Sequence, residues 1–204
     1  MRIIIFGATG GTGIELIKQS LEQNLEVTAF VRNPTKLNIS HPNLSVVKGD
    51  VRNLEDVVEA TREQKIVISA LGTKPWQTPI CTTGIKNIIT AMKKNAIQRI
   101  VVESSYGTGI TRKSIHGYGL WLVIRSLMHD KEKMETLLFK SNLDWTIIRP
   151  VALIGRKKVG RYRTGIDFAL KKIYPTISRA DVAEFMLNIA TNALYIRQLP
   201  IISY

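Results

Sequence analysis

The feature that most restricts this chain is a cluster of glycines close to its start, Gly7-Ala8-Thr9-Gly10-Gly11-Thr12-Gly13. Ahead of it, Arg2 to Phe6 is a short β-branched run that reads as a buried strand. Behind it, Ile14, Leu16, Ile17 and Leu21 are spaced like the inner face of a helix. The glycines at 7, 10 and 13 follow a G-x-x-G-x-x-G spacing. At such a strand-to-helix turn the first glycine allows the tight bend and the second lets a ligand approach the backbone. The third lets the helix pack close to the strand. The N–H groups opening the helix then face outward at the positive end of its dipole, which suits a phosphate. Glycine spacing alone is a weak signal, but here a strand, a helix and a second strand surround it in the right order.

The rest of the chain continues the alternation. Val27 to Val31, Leu44 to Val47, Ile66 to Ala70, Ile100 to Val102 and Trp145 to Ile148 read as strands. Helices are expected over Asn53 to Thr61, Thr82 to Lys94, about Lys131 to Lys140, and Arg179 to Ala190. Strands alternating with helices need crossover connections and a mostly parallel sheet. The expected fold class is therefore α/β, a doubly wound, three-layer Rossmann fold in a single domain covering residues 1–204. Residues 1–150 would form the nucleotide-binding core and 151–204 a small part on the substrate side. Tyr106 to His116 reads as a long loop at the C-terminal edge of a strand, where open α/β sheets bind ligands.

Composition narrows the class further. No apolar run approaches the roughly 20 residues that span a bilayer, and the glycine turn comes too soon for a signal peptide. A cytoplasmic location is expected. One cysteine, Cys81, excludes an intramolecular disulfide, and no His, Asp or Glu cluster has metal-ligand spacing. The formal charge is +13. Arg156, Lys157, Lys158, Arg161, Arg163, Lys171 and Lys172 face only Asp167 across the same stretch. Such a field draws anions of many kinds without choosing among them, and as a solvated basic surface it needs no partner. No DNA-binding module is recognisable, so no specific nucleic acid is expected.

The end of the second strand bears on the choice of nucleotide. NAD-binding domains usually carry an acid there for the ribose hydroxyls. This chain has Val31-Arg32-Asn33-Pro34-Thr35-Lys36, in which Arg32 can stack on adenine and fork to a 2′-phosphate. Lys36 adds a second positive charge, and NADPH is the expected cofactor. After the third strand, in Gly49-Asp50-Val51, Asp50 could accept a bond from the adenine amino group or cap the next helix. After the fourth, Ala70-Leu71-Gly72-Thr73 offers a glycine where the backbone can approach the nucleotide ribose.

Together with Gly84-Ile85-Lys86-Asn87, these segments resemble the atypical short-chain dehydrogenases with an NAD(P)-binding, NmrA-like fold. Within them the likeness is to the biliverdin-IXβ and NADPH-dependent flavin reductase group. It covers nearly the whole chain, including Leu138 to Pro150 and Ile177 to Met186. The resemblance implies hydride transfer from NADPH to a flat conjugated acceptor: a flavin such as FMN, biliverdin or a quinone. Flavin would be a substrate and not a prosthetic group. It also implies NADPH contacts from Gly7, Thr9, Gly10, Thr12, Arg32, Lys36, Asp50, Val51, Leu71, Gly72 and Lys74. Gly11, Gly13, Ala70, Thr73, Ser104, Pro150, Val151, Ala152 and Leu153 fall in the same site. Cys81 would lie near the nicotinamide, and Ser105 matches the group's active-site serine. Where the reductases carry a histidine, this chain has Leu153, a departure that bears on tetrapyrrole recognition more than on NADPH.

The Tyr-x-x-x-Lys pair of alcohol-oxidising relatives is missing: Tyr106 is followed four on by Ile110, and Tyr118 by Leu122. Lys131, on the corresponding helix, could still bond the nicotinamide ribose. Ser105 is then an orienting group and not a nucleophile, because His41, His116 and His129 form no recognisable triad. The apolar run Gly117 to Arg125 reads as a lid over the acceptor or a dimer face, with a membrane-surface anchor as the alternative. Either a monomer or a homodimer is compatible with it. A second functional reading is a non-catalytic NADP(H)-binding redox sensor of the NmrA-like type, which the missing pair also allows.

Overall fold

The computed structural model describes residues 1–73, 77–109, 111, 125–167, 170 and 174–204. Lys74, His116 and the apolar run up to Ile124 lie outside the described residues. Strand β1 (Arg2–Phe6) is an interior strand of the sheet, and its Ile3, Ile4, Ile5 and Phe6 are completely buried. Both faces of a central parallel strand are covered by helices, so no position is left for a polar residue. Ile3 and Ile5 point to one layer, formed by α1 (Gly11–Glu22) and α5 (Arg179–Thr191). Ile4 and Phe6 point to the other, formed by α2 (Leu54–Ala60), α3 (Cys81–Lys94) and α4 (Arg125–Phe139). Among the described residues, no helix is long and apolar enough to cross a membrane.

Around β1 the strands are β2 (Glu26–Val31), β3 (Leu44–Lys48), β4 (Ile66–Ser69), β5 (Arg99–Glu103) and β6 (Asp144–Pro150). They run in the order β3-β2-β1-β4-β5-β6, all parallel. The chain moves outward from β1 to β3 and then crosses back to β4 on the other side of β1. That reversal opens a crevice above the C-terminal ends of β1 and β4. The doubly wound α/β expectation stands.

Several elements were not foreseen. Beyond Pro150, β7 (Ala152–Ile154) pairs with β9 (Thr176–Ser178) in a separate two-stranded sheet. The main sheet is extended by β10 (Ile201–Ser203), parallel to β6, and by β8 (Arg163–Gly165), antiparallel to β10. Three-residue strands are too short to display a period, which is why the sequence pattern passes over them. Helix α4 is described from Arg125, ahead of the expected Lys131; there Leu127 and Met128 are flanked by polar Arg125, Ser126, His129 and Asp130, so the apolar stripe is thin.

The C-terminal part is fastened to the body through Asp181. Ser178 caps α5 by accepting the Asp181 backbone N–H at 3.0 Å, and its hydroxyl donates back to the Asp181 carboxylate at 2.5 Å. The same carboxylate accepts from the Tyr204 hydroxyl at 2.5 Å and from the backbone N–H groups of Gly160 at 2.7 Å and Val159 at 3.0 Å. One buried side chain thus joins a helix start, the loop before β8 and the last residue of the chain. Burial pushes this carboxyl up, but the bonds from Ser178, Tyr204, Gly160 and Val159 outweigh burial and hold it below the ordinary carboxylate range. Its stabilising contribution is therefore complete above the unfolded-state value, about 3.9. It is lost as pH falls through the depressed folded value. Asp181→Asn should cost about 1.5–3 kcal/mol at neutral pH. In urea unfolding the gap to wild type should shrink as pH drops below about 4; a gap that stays constant into strong acid would contradict this role.

Candidate functional site

Because neighbouring strands from β3 to β6 are parallel, the residues that follow each strand gather on one rim. Gly7 follows β1, Arg32 follows β2, Asp50 lies just past β3, Ala70 follows β4, Ser104 follows β5 and Val151 follows β6. At the centre of this rim is the glycine turn. Gly7 has φ +78°, and a Cβ there would lie 2.3 Å from the Ala70 carbonyl oxygen. A Cβ on Gly13 would lie 2.2 Å from the Gly7 carbonyl oxygen and 2.8 Å from Ala8 Cα. The Gly10 N–H donates to Gly7 O at 2.9 Å and closes the turn. Thr9, Gly10 and Gly11 are exposed. No side chain caps the start of α1 and no acid lies in its first turn, so its N-terminal dipole is left for a ligand. The backbone fits a diphosphate.

Thr12 behaves differently from its neighbours. Its hydroxyl turns inward and donates to Glu103 Oε1 at 3.1 Å. Glu103, at the end of β5, is buried; burial pushes its carboxyl above the ordinary range against the opposing charge of Lys131. Lys131 Nζ donates to the carbonyl oxygens of Glu103 and Ser104, each at 3.1 Å. The lysine expected beside the nicotinamide ribose therefore reaches this rim from α4.

Arg32 is exposed at the end of β2 and makes no hydrogen bond or ion pair with the described residues. Lys36 is exposed on a 3-10 turn, Pro34–Lys36, which Asn33 caps by accepting the Thr35 N–H at 3.1 Å. Asp50 is occupied with Arg52, whose Nη2 donates to it at 2.5 Å, and this partner holds the carboxyl below its ordinary range. Asp50 does not cap α2; Asn53 does, accepting the Glu55 N–H at 3.0 Å. Asn53 stands directly before Leu54, the first residue of α2, whereas Asp50 lies three residues further back and its carboxylate accepts the Arg52 N–H and Nε instead.

The exits of β3 and β4 are fixed by α3. A Cβ on Gly84 would lie 2.7 Å from Leu71 Cδ1 and 3.2 Å from Val51 Cγ2. Asn87 Nδ2 donates to the carbonyl oxygens of Val51 and Arg52, each at 2.9 Å. Gly72 has open space above it, whereas Thr73 Oγ1 is used in accepting the Ile80 N–H at 3.2 Å. Cys81 is buried, with Sγ 3.5 Å from the Leu71 carbonyl oxygen. Burial pushes its thiol up to about 11, which leaves little thiolate at neutral pH. Its backbone N–H and that of Thr82 donate to Asp130 at 2.8 and 3.0 Å, so the start of α3 is capped by a carboxylate from α4.

Ser104 and Ser105 differ sharply. Ser104 Oγ donates to Glu135 Oε1 at 2.5 Å, as does Thr108 Oγ1 at 2.8 Å. Arg149 grips the same carboxylate through two bonds of 3.2 and 2.7 Å, and the pair is almost fully buried. Ser105 is half-buried, and among the described residues its hydroxyl reaches only the neighbouring Tyr106 carbonyl oxygen, at 3.1 Å. Of the two, Ser105 is the one free to meet a ligand. The Pro150 carbonyl oxygen accepts the Tyr106 N–H at 2.8 Å, and Val151 is buried. Ala152 is exposed, and Leu153 packs against the core beneath α1 and α5. A cavity of about 390 Å³ lies beside the Glu135–Arg149 pair, bounded by Gly109, Phe139 and Leu199 and apart from the glycine turn. Glu103, Asp130, Glu135 and Arg149 were not anticipated, because each acts on a partner distant in the sequence. Among the described residues, no group of His, Cys, Asp and Glu could hold a metal ion.

Comparison with known proteins agrees with this geometry. Residues 7–193 match the NAD(P)H-binding family. The uncharacterised protein YwnB of Bacillus subtilis is 26% identical over 198 residues, spanning 92% of this chain and 91% of its own. Among solved structures, a Rossmann-fold NAD(P)-binding protein from Shigella flexneri aligns with a TM-score of 0.77. It is 23% identical, over 98% of this chain and 92% of its own. ChuY, an anaerobillin reductase from Escherichia coli O157:H7, aligns with a TM-score of 0.84 at 22% identity, over 99% and 96%. At such identities the two structures speak for the fold alone, whereas the family match covers the glycine turn, the rim and most of the chain. The chain belongs to the NAD(P)H-binding family.

Proposed function

We propose that the protein is an NADPH-dependent reductase that passes hydride to a flat conjugated acceptor, with a flavin such as FMN as the first candidate and biliverdin or a quinone as related ones. The observation that carries the choice of NADPH is Arg32, an exposed guanidinium at the end of β2 that makes no hydrogen bond or ion pair with the described residues, with Lys36 one turn on. A cation there suits a 2′-phosphate, where an acid would suit free ribose hydroxyls. NADPH, when bound, supplies the hydride. Everything else is positioning: the N–H groups of Gly11 and Thr12 hold the diphosphate, and the backbone of Ala70, Leu71, Gly72 and Thr73 lines the ribose. Asp50, Val51, Cys81 and Lys131 complete the cofactor pocket.

Ser105 supports a reductase and not an alcohol dehydrogenase. Among the described residues its hydroxyl has no side-chain partner to activate it, and they hold no tyrosine–lysine pair at this rim. Hydride passing between stacked rings needs proximity and orientation above all. A half-buried hydroxyl at the end of β5 can orient a ring, and the proton comes from solvent. A structural neighbour of this fold, ChuY, is an anaerobillin reductase, which supports the reductase reading. Leu153, packed inward, supplies no proton donor on the acceptor side.

Arg32→Ala should weaken NADPH about ten- to a hundredfold, the effect of one lost charge-assisted bond, and leave NADH nearly unchanged. Calorimetric titration with both nucleotides checks this; equal losses would remove Arg32 from the 2′-phosphate. For Ser105→Ala, flavin turnover should drop by a few- to a hundredfold while NADPH affinity and melting temperature stay close to wild type. Wild-type turnover in that variant would take Ser105 out of the site, and a fall in stability alone would make it a loop residue.

A further inference from the structure

The exposed backbone at the start of α1 is overlain by a side chain from the far end of the chain. A Cβ on Gly11 would lie 2.5 Å from Cδ of Arg179, 2.9 Å from its Nε and 3.7 Å from its Cζ. Arg179 is half-buried and is the first residue of α5, the helix that packs alongside α1. Gly11 is thus a glycine for a different reason from Gly7 and Gly13: it makes room for an arginine, not for backbone.

That arginine is badly placed for a protein without a ligand. The N-terminus of a helix carries the positive end of its dipole, and cations there are disfavoured. Arg179 lies across the start of α1, which has neither a cap nor an acid in its first turn, and it also opens α5. At α5 the charge is offset by Asp181, already committed to Ser178, Tyr204 and the 159–160 backbone. Glu103 is near enough for Arg179 to favour its ionised form, but this carboxylate already accepts from Thr12 and is opposed by Lys131 as well. The Arg179 guanidinium makes no hydrogen bond or ion pair with the described residues. Two helix starts, a free guanidinium and an exposed glycine backbone therefore converge where only an anion relieves the field.

We infer that Arg179 is a second cation of the dinucleotide site and binds the diphosphate bridge, the part of the cofactor common to NADPH and NADH. The inference rests on the reading of this rim as the nucleotide site. It separates two arginines by role: Arg32 selects between the nucleotides, and Arg179 holds whichever one is bound.

The test is nucleotide affinity, measured by calorimetry with NADPH and NADH on the full chain, alongside the melting temperature without nucleotide. Arg179→Met keeps most of the side chain's length without its charge and should lower both affinities together, by about tenfold or more. Arg179→Lys should restore most of the loss, and the melting temperature should not fall. The Arg32→Ala, Arg179→Met double variant should lose the product of the single losses for NADPH, as expected of separate contacts. Should Arg179→Met fail to fold, Arg179→Gln carries the same comparison. Affinities within twofold of wild type, a loss confined to NADPH, or a lower melting temperature with affinity retained would each overturn the inference. A wild-type protein that binds neither nucleotide overturns the reading of the rim and the inference with it. Binding that survives Arg179→Met overturns the inference alone.

Discussion

Helix α1 meets strand β1 at a distance that only a missing side chain permits. With hydrogen at Gly13, its Cα can sit against the Gly7 carbonyl and Ala8, where a Cβ would be 2.2 Å from the first and 2.8 Å from the second. The left-handed backbone at Gly7 lets the same turn clear the Ala70 carbonyl on the neighbouring strand. These two contacts set where α1 starts and how it lies on the sheet. Helix α5 packs on α1 and brings Arg179 over Gly11. A side chain at position 13 would move the helix start, the arginine and the rim together, because close-packed interiors transmit such a shift and do not absorb it.

The rest of the rim is held by charges buried for the purpose of position. Glu135 and Arg149 form a buried pair that also takes the hydroxyls of Ser104 and Thr108. A pair like this adds little net stability over apolar packing, but removing one partner costs about 3–5 kcal/mol by stranding the other. Its value lies in geometry: it locks the ends of β5 and β6 and leaves Ser105 as the serine facing outward. Glu103 does comparable work on the opposite face of β5, where Thr12 ties the glycine turn to the strand. Lys131 bonds the β5 carbonyls from α4. Reacting groups placed on such supports are already oriented before a ligand arrives.

How much of this could be read from the sequence follows from the range of each interaction. β1 was legible to the residue because four consecutive apolar side chains precede a glycine. The glycine turn was legible because its spacing, and the contacts of Gly10 and Gly13 with Gly7 and Ala8, lie within seven residues. Arg32, Asp50 and Gly72 could be placed because parallel strands deliver their last residues to one edge. By contrast, Thr12 meets Glu103 across a separation of 91 residues, and Cys81 meets Asp130 across 49. No local pattern marks such partners. Asp50 was read as a possible helix cap, but α2 begins at Leu54, which puts Asn53 at the cap and leaves the Asp50 carboxylate to Arg52. The short strands β7 to β10 escaped because three residues carry no period. Arg179 escaped because an arginine at a helix start looks like ordinary surface until Gly11 is seen beneath it.

The account places the nucleotide on one edge of the sheet, against the opening turn of α1. Backbone amide resonances followed during NADPH titration test this most directly, since they report every strand end at once. The largest changes should fall on Gly10, Gly11 and Thr12, with Arg32 and Leu71 to Thr73 next. Amides at the opposite edge, such as Gln64 and Asn95, should hardly move. Changes that cluster instead around the cavity beside Glu135 and Arg149, with the glycine turn silent, would contradict the central claim.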